Sequence, residues 1–579
     1  MTLVPPGFRM LATYRRAWLL KDLTAGLVLT TLLVPQGMAY AELAGLPPIT
    51  GLYTSIMCLL GYALVGPSRI LVLGPDSSLG PMIAATILPL VAADGDPERA
   101  VALASLLAVM VAVIMLVAGV AKLGFIAELI SKPTMIGYMN GLAVTILIGQ
   151  LPKLLGFSTD ADGLIEEVVE FGRGLADDLV VPAAAAVGLG GIVLILVLQR
   201  WLPKVPAVLV MVVLAIVVSS VADLGDHGVS LIGTLPQGFP PLTIPTVPWS
   251  DVAPLAAGAL AIAVVSLADT ISTSTAFAER TGQEVRGNAE MIGIGTANLA
   301  AGLFQGFPVS TSASRTAVAE RAGARTQLTG LTGAALIVLL IVAIPGLFRN
   351  LPQPALAAVV ITASLSLADV SGMVRLWKQR RVEFSLALAA FAGVALLGVL
   401  PGIGIAVGLS ILNVFRRAWR PYQTTLGQVD ELPGYHDVRS YPAAQTLPGL
   451  VIYRFDAPLI FANAKTFRDE VVALSRQDPP PHWIVVAAEP ITDVDTTAAD
   501  VLFQLDRTLD ERGQALVFAE MKDPVRRKID GYGLTAKIEP RHLFPTVEAA
   551  VAEFRAQTSA EWTPGPAVAV AEPGRPEVV

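Results

Sequence analysis

Apolar runs long enough to cross the hydrocarbon of a membrane follow one another through the first 420 residues of the chain. Clear examples are Val101–Val120, Val181–Leu198, Ala207–Val221 and Gly330–Ile344. A membrane-spanning helix needs about 20 predominantly apolar residues, and in lipid only a helix or a closed barrel satisfies every backbone hydrogen bond. The runs therefore predict a polytopic α-helical membrane protein.

The charged residues are unevenly distributed along the chain. The 579 residues include 40 Lys and Arg and 47 Asp and Glu, and only 15% are charged, against roughly 25% in a soluble protein. Of these, 15 basic and 23 acidic residues follow Arg420. The net charge of −7 thus belongs almost wholly to the C-terminal part, which indicates two domains in different solvents. This composition excludes a disordered chain and a polybasic nucleic-acid binder, so we expect no nucleic-acid partner.

Residues for metal or enzyme chemistry are scarce. One cysteine, Cys58, and four histidines exclude a disulfide scaffold and leave too few ligands for a zinc or iron–sulfur site of the usual kind. We expect neither a metal nor a cofactor, H⁺ or Na⁺ as a coupling ion apart. The spans contain no nucleophile–base pair, and the chain has no nucleotide-binding glycine loop. We therefore expect neither an enzyme nor a nucleotide-driven pump.

Fourteen spans give the best account of the first part. They are predicted near residues 23–44, 48–66, 76–92, 100–121, 125–150, 180–199, 206–222, 254–277, 288–305, 311–320, 328–346, 353–370, 382–398 and 401–418. Lys and Arg are concentrated in alternate connections, which by the positive-inside rule face the cytoplasm. Both termini are then cytoplasmic, and the protein lies in the cell (inner or plasma) membrane.

Two of these spans differ from the rest. The third and the tenth are short or polar at their starts and follow the segments Leu73–Ser78 and Gly306–Ser312, each with a glycine and a proline. They hold the same place in two sets of seven spans, which predicts inverted repeats with interrupted helices at a binding site near the membrane midplane. The alternative is that each segment is simply a loop with a helix cap.

Interrupted helices of this kind suit an anion. A helix N-terminus offers free backbone N–H groups and the positive end of the helix dipole, which hold an anion without a formal cation. We place the anion between the N-termini of the two half-helices, with Ser78 and Ser312 among its neighbours.

Charged residues inside spans are functional candidates because their burial is costly. Asp76 opens the third span, Asp269 lies midway along the eighth, and Arg315 lies one turn into the tenth; Glu42 is a weaker fourth. Hydroxyls follow Asp269 at Thr270, Ser272 and Thr273. This cluster suits a sodium ion or a proton-carrying carboxyl, although a buried Asp bonded to its neighbours for packing has the same pattern.

Asp76 and Arg315 each admit two interpretations. A carboxylate at Asp76 would repel an anion unless it were protonated, so we predict that proton uptake by Asp76 accompanies anion entry. The alternative is that Asp76 only caps its own helix. Arg315 either contacts the anion directly or neutralises Asp76 or Asp269 when the site is empty.

Several motifs resemble one known family of anion permeases. They are Pro35-Gln36-Gly37-Met38-Ala39-Tyr40-Ala41, Leu43-Ala44-Gly45-Leu46-Pro47-Pro48, Gly51-Leu52-Tyr53-Thr54-Ser55, Gly66-Pro67-Ser68-Arg69, Gly306-Phe307-Pro308 and Ser314-Arg315-Thr316. Together they resemble the SulP anion permeases, called solute carrier family 26 in animals, and the likeness covers nearly the whole chain.

The resemblance implies an architecture and a set of site residues. It implies fourteen spans in two inverted repeats of seven, as in uracil permeases, with spans one to four and eight to eleven moving as a core against a gate in an elevator-like motion, usually in a homodimer. The anion-binding positions that it implies are Gln36, Tyr40, Asp76, Ser77, Ser314 and Arg315. Asp269 and Thr273 match a cation site, to which we add Asp76.

The C-terminal part resembles a STAS domain. We expect residues 1–21 to be a cytoplasmic segment, 22–420 the transport domain, 435–557 the STAS domain and 558–579 a disordered tail. Strand-like and helical runs alternate within the domain and predict a small α/β layer with helices on one face. The turn Asp493–Thr497 lies where relatives are phosphorylated, but a helix cap at Asp495 or Thr496 is the favoured interpretation. A regulatory protein or a nucleotide is the expected partner.

The function that follows is secondary transport of a small anion across the lipid membrane. Sulfate comes first among inorganic and carboxylate anions, with H⁺ or Na⁺ coupling. The alternatives are an uncoupled anion channel, an exchanger of bicarbonate, chloride or dicarboxylate, and a membrane sensor that signals through the C-terminal domain.

Overall fold

The computed structural model describes residues 7, 10, 13–91, 95–124, 131–159, 161, 163–203, 205–281, 285–430, 432–533 and 542–564. The chain divides into two units, Met1–Ser410 and Ile411–Val579, and each is described by itself.

A helix occupies each of the fourteen predicted spans. The helices before the C-terminal domain are α1 (Leu19–Leu43), α2 (Pro48–Val65), α3 (Gly80–Ile87), α4 (Pro97–Val120), α5 (Lys132–Leu155), α6 (Leu164–Ala176), α7 (Pro182–Trp201), α8 (Ala207–Val221), α9 (Trp249–Thr281), α10 (Gly287–Leu303), α11 (Ala313–Arg321), α12 (Leu328–Ala343), α13 (Gln353–Leu367), α14 (Val370–Gln379), α15 (Arg381–Leu397) and α16 (Val399–Trp419). Of these, α6 and α14 are additional helices within predicted connections. Among the described residues, eight helical segments are long and apolar enough to span a membrane, and three more apolar helices are shorter.

The two interrupted spans form short helices preceded by extended chain. The prediction that Asp76 opens the third helix is wrong, because α3 begins at Gly80. Asp76 instead forms a side-chain turn in which its Oδ1 accepts the backbone N–H of Ser78 at 3.0 Å, and such turns compete with helix formation. Helix α11 begins directly after Ser312, whose hydroxyl accepts the N–H of Arg315 at 3.5 Å.

The helices of the first unit pack in two sets. In the first, which we call the core set (α1–α4 and α9–α12), α10 packs on α4 and α2, and α12 packs on α1 and α2. In the second, the gate set (α5, α7, α8, α13 and α15), α5 packs on α13 and α15, and α7 packs on α13 and α8. Helix α1 contacts α13 and α8 across the two sets.

Glycines allow the closest helix contacts within each set. A Cβ added to Gly51 of α2 would lie 1.8 Å from the carbonyl oxygen of Gly37 in α1, and one added to Gly137 of α5 would lie 1.9 Å from that of Ala387 in α15. The backbones therefore touch at both crossings. This fixes α1 and α5, two of the helices that line the cavity described below.

A buried carboxylate joins the beginnings of α1 and α12. Asp22 is fully buried; its Oδ1 accepts the backbone N–H groups of Arg325 at 2.6 Å and Thr326 at 3.1 Å. Its Oδ2 accepts the hydroxyl of Thr326 at 2.7 Å. These hydrogen bonds from the segment that leads into α12 offset the cost of burying the Asp22 carboxylate, which acts as a helix cap supplied by another helix.

The second unit contains a mixed sheet. Its strands are β3 (Gln423–Gln428), β4 (Tyr435–Asp437), β5 (Gln445–Thr446), β6 (Leu450–Phe455), β7 (Trp483–Ala487), β8 (Ala515–Ala519), β9 (Leu543–Phe544) and β10 (Thr563–Pro564), while β1 (Leu73–Gly74) and β2 (Ser310–Thr311) belong to the first unit. The order is β10-β5-β3-β6-β7-β8-β9, with β4 paired to β3 and parallel pairing from β6 to β9. The sheet also includes β3, which precedes the predicted domain start at residue 435. The prediction missed this strand because its sequence is polar and gives little apolar signal.

Helices cover both faces of this sheet. They are α17 (Ala464–Leu474), α18 (Thr496–Asp510), α19 (Asp523–Gly531) and α20 (Val547–Thr558). The expectation of helices on one face is wrong: Ile484 and Val486 of β7 pack with α17–α19, whereas Val485 and Ala487 pack with α20. A continuous apolar strand is typical of burial on both faces.

The turn before α18 is a helix cap. Asp495 accepts the N–H of Ala498 at 2.8 Å, which confirms the favoured interpretation. Nearby, the Lys528 ammonium donates to Asp493 at 2.5 Å and lowers the pKa of that carboxyl below its usual value. The prediction of a disordered tail over 558–579 is wrong for its first part, because Thr563–Pro564 form β10 and pair with β5. Residues 565–579 of that tail lie outside the described residues.

We expect Gly51→Ala to destabilise the protein by at least about 1–3 kcal/mol, because the added methyl group would overlap the backbone of α1. The measurement is thermal unfolding of the purified protein in detergent. Gly190→Ala is the matched control, since nothing lies within 4 Å of a Cβ at this position in α7. Equal losses in the two variants would contradict the backbone contact.

Candidate functional site

A cavity of about 490 Å³ lies where α3 and α11 begin. The segment before α3 and the start of α11 supply one wall, α1 and α9 add to it, and helices of the gate set supply the opposite wall. The lining residues are Gln36, Tyr40, Asp76, Ser77, Ser78, Met139, Gln199, Val208, Asp269, Ser272, Thr273, Thr311, Ser312, Ala313, Ser314, Val359, Thr362, Ala363, Ser366 and Leu367.

A two-residue ladder holds the two interrupted segments together. Strand β1 (Leu73–Gly74) pairs antiparallel with β2 (Ser310–Thr311), and the backbone N–H of Ser312 donates to the carbonyl of Val72 at 3.0 Å. The pairing satisfies backbone groups that a broken helix would otherwise leave unpaired inside a membrane. It also brings the beginnings of α3 and α11 to the same cavity.

Ser78 bridges two carboxyl groups. Its hydroxyl lies 2.8 Å from Asp76 Oδ1 and 3.1 Å from Asp269 Oδ2. A serine hydroxyl has one hydrogen to donate, so it can serve only one carboxylate at a time. The other contact becomes favourable when that carboxyl carries a proton and donates to the serine oxygen, or when a cation is bound there. The arrangement therefore suits a site that takes up one positive charge.

The hydroxyls near Asp269 divide into two groups. Ser272 and Thr273 line the cavity beside Asp269. Thr270 points elsewhere: it donates to the carbonyl of Ser266 at 2.7 Å and accepts from the hydroxyl of Thr311 at 3.2 Å. Thr273 thus shares the cavity with Asp269, whereas Thr270 joins α9 to β2.

Arg315 lies behind the cavity wall. Its side chain is fully buried, its Nη2 donates to the carbonyl of Pro75 at 2.6 Å, and the same atom is 3.7 Å from Asp76 Oδ2. Nε and Nη1 have no hydrogen-bond partner among the described residues. A Cβ at Gly74 would lie 2.7 Å from Nη1, so the glycine leaves room for the guanidinium.

The structure brings nearly all of the predicted site residues together. Those that line the cavity are Gln36, Tyr40, Asp76, Ser77, Ser78, Asp269, Thr273, Ser312 and Ser314. Arg315 does not line it and acts on it through its charge and through Asp76. Glu42 does not line it either.

The gate-set wall was missing from the sequence prediction. It includes Met139 of α5, Gln199 of α7, and Thr362 and Ser366 of α13. Thr362 and Ser366 donate to carbonyls of their own helix at 2.9 and 2.6 Å, as hydroxyls in any apolar helix do. Gln199, a polar residue near the end of an apolar run, is the one signal that could have been found.

Comparisons with known proteins give a consistent result. The profile of the sulfate permease family matches residues 19–390, and that of the STAS domain matches residues 441–550. A probable sulfate transporter of Mycobacterium tuberculosis is 41% identical over 95% of this chain and 98% of its own length. The chloroplastic sulfate transporter 4.1 of Arabidopsis thaliana is 29% identical over 94% and 82%.

A solved structure has the same fold. The murine Slc26a9 anion transporter in its inward-facing state aligns with a TM-score of 0.88 at 24% identity, over 96% of this chain and 94% of that one.

We expect Arg315→Met to destabilise the protein by about 3 kcal/mol, because it leaves Asp76 without its buried cation. Adding Asp76→Asn should recover about 1–3 kcal/mol, since the two groups are coupled. A double-mutant cycle of thermal unfolding in detergent measures this coupling. Strictly additive losses would show that the two groups do not interact.

Proposed function

Because this chain belongs to the sulfate permease family and ends in a STAS domain, we propose that it is a secondary transporter that moves sulfate across the cell membrane together with a coupling cation. The observation that carries the proposal is the cavity in which Ser78 bridges Asp76 and Asp269 between the beginnings of two half-helices.

Positive charge around the cavity supports an anionic substrate. The N-terminus of α11 adjoins the cavity through Ser312 and Ser314. The turn at Ser77 and Ser78, which also lines the cavity, directly precedes the N-terminus of α3. Both helix dipoles and the buried guanidinium of Arg315 contribute positive potential. An anion is therefore favoured at the point where the two segments meet.

The hydroxyl-rich lining favours an oxyanion. Tyr40, Ser77, Ser312 and Ser314 surround the proposed position, and Gln36 adds an amide. These groups are donors that a tetrahedral oxyanion with four acceptor oxygens can engage from several directions. The relatives named as sulfate transporters agree with sulfate as the first candidate.

The carboxyl pair supports coupling, with a proton as the favoured ion. An anion would be repelled if Asp76 and Asp269 were both ionised, and one shared proton removes part of that repulsion. With this proton on one carboxyl, that carboxyl can donate to the Ser78 oxygen while the Ser78 hydroxyl donates to the other carboxylate. An exchanger or a channel has no need of this pair.

The cavity is reached from the side with the basic loops. Its lining extends to Gln199 and Leu367, near the ends of α7 and α13. Arg200 lies next to Gln199 in the last turn of α7, and Arg375 and Lys378 lie in α14, which follows α13. By the positive-inside rule this side is cytoplasmic. The cavity lies between the core set and the gate set, as an elevator-type movement of one set along the other requires.

We expect uptake of labelled sulfate into proteoliposomes to rise when the outside is acidified, because a proton enters with the anion. Asp269→Asn should reduce this stimulation about tenfold or more, since an amide cannot carry the proton. Asp226→Asn, at an exposed loop carboxylate, is the matched control. Uptake that depends on neither a proton nor a sodium gradient would favour exchange or a channel. Stimulation by a sodium gradient alone would identify Na⁺, and not H⁺, as the coupling ion.

We expect Ser366→Cys to react with a membrane-impermeant maleimide in inside-out vesicles and not in intact cells, because Ser366 is exposed at the cytoplasmic part of the cavity. Ser364→Cys, on the same helix and fully buried, should stay unlabelled from both sides, as should the buried Cys58. Labelling of Ser366→Cys in intact cells would contradict the proposed orientation.

A further inference from the structure

Helix α14 (Val370–Gln379) exposes a stripe of apolar side chains. Val370, Val374 and Trp377 are 64%, 47% and 56% exposed. Their spacing of four and then three residues places them on one side of the helix, because an α-helix completes a turn in about 3.6 residues. Large apolar side chains that stay exposed together on one face mark a surface that contacts something other than water.

A different side of α14 attaches the helix to the protein. Leu376 is buried in one apolar cluster with Ile136 of α5 and Ala387 of α15, and Met373 packs against this cluster. At about 100° per residue, Met373 and Leu376 lie to one side of the exposed stripe. The stripe is therefore not the face that holds α14 on its neighbouring helices.

The third side of α14 is basic. Arg375 and Lys378 are exposed and lie on the side of the stripe opposite to Leu376. Within the described part of the chain, neither of them forms an ion pair. The carboxylate of Asp369 caps the helix, with its Oδ1 accepting the N–H of Gly372 at 2.7 Å. Arg375 and Lys378 therefore keep their charges for a partner outside the protein.

Trp377 has the surroundings of a side chain at a membrane–water boundary. Its ring meets that of Phe384 edge to face, with centroids 4.9 Å apart, and the Arg381 guanidinium lies 5.9 Å from the ring centre. Tryptophan is enriched at this boundary because it joins a large apolar ring to a polar N–H group. A basic group on one side and an exposed apolar stripe on the other fit that position.

The connections of α14 place it at a membrane surface. Ala368 and Asp369 join it to the preceding span α13, and Arg380 alone joins it to the following span α15. With such short connections α14 begins and ends where the two spans leave the hydrocarbon. A helix with cations beside an apolar face lies in the plane of this interface, with the apolar face against the acyl chains and the cations among the headgroups.

Helix α6 (Leu164–Ala176) shows what the charges of α14 add. It also exposes apolar side chains, Ile165 and Val168 among them, but its first turn carries Glu166 and Glu167. Anionic headgroups are repelled by such a helix. An apolar face alone thus favours contact with any lipid, whereas the basic side of α14 selects headgroups of negative charge.

We propose that α14 is a binding site for phospholipids with anionic headgroups. The acyl chains contact Val370, Val374 and Trp377, and the headgroup phosphates pair with Arg375 and Lys378. Because α14 packs on α5 and α15, a lipid bound there anchors these two gate-set helices to the membrane surface.

The test is quenching of Trp377 fluorescence by brominated lipids in nanodiscs of equal parts phosphatidylcholine and phosphatidylglycerol, with bromine on the acyl chains of one lipid or the other. The signal of Trp377 is the difference between the parent and Trp377→Phe. Brominated phosphatidylglycerol should quench it at least about threefold more strongly than brominated phosphatidylcholine, because basic side chains enrich the anionic lipid. Arg375→Gln combined with Lys378→Gln should bring this ratio close to one.

The matched control combines Arg321→Gln with Arg325→Gln. These arginines at the end of α11 are also exposed, but no exposed apolar stripe adjoins them among the described residues. The control should keep the lipid preference of Trp377. Phosphatidylglycerol added to the protein in detergent should raise the Tm of the parent and of the control more than that of the α14 variant, a readout that needs no tryptophan substitution.

Three outcomes would overturn the proposal. Trp377 that neither lipid quenches would show that protein covers this face. Equal quenching by both lipids would show contact with the membrane and no anionic site. An equal loss of preference in the α11 control would show a general effect of charge. None of these readouts measures sulfate uptake, so each outcome leaves the proposed function standing.

Discussion

The paired backbone of β1 and β2 is the interaction on which the transport unit depends. Hydrocarbon offers no partner to a free amide or carbonyl, so extended chain at membrane depth persists only where protein or a water-filled cavity satisfies it. Leu73 pairs with Thr311 and Gly74 pairs with Ser310, so that their backbone groups hydrogen-bond to each other, and all four residues are buried. Their pairing allows two helices to begin inside the bilayer, and it determines where the helix dipoles, the serine hydroxyls and Asp76 are placed.

The charges of the site are arranged in depth. Arg315 is fully enclosed and is held by the Pro75 carbonyl, whereas Asp76 and Asp269 border the cavity. A cation behind the wall and carboxyls in front create a site whose net charge changes when one proton or one cation arrives. An anion and a cation can then stabilise each other in the same cavity, which is the electrostatic basis of the coupling proposed above.

The sequence predicted the sulfate permease family, the fourteen helices and most of the core-set wall, because glycine–proline segments and charges inside apolar runs are rare and specific. It failed where the chemistry is common. Thr362 and Ser366 resemble any hydroxyl in an apolar helix, and the burial of Arg315 behind the wall depends on the space at Gly74. The start of α3 was misplaced because the Asx turn at Asp76 uses the same residue types as a cap. The helix on the second face of the STAS sheet was not predicted, because the sequence does not show on which side of the sheet α20 packs.

The contact between Gly37 and Gly51 has a mechanical consequence. With no side chain between them, α1 and α2 meet backbone to backbone and cannot slide or rotate independently without a steric clash. The two helices therefore form one rigid pair, and Gln36 and Tyr40 of α1 lie beside the cavity on this pair. In the elevator-type movement proposed above, a displacement of α2 would therefore carry α1 with it, so that this part of the cavity wall would travel as a unit.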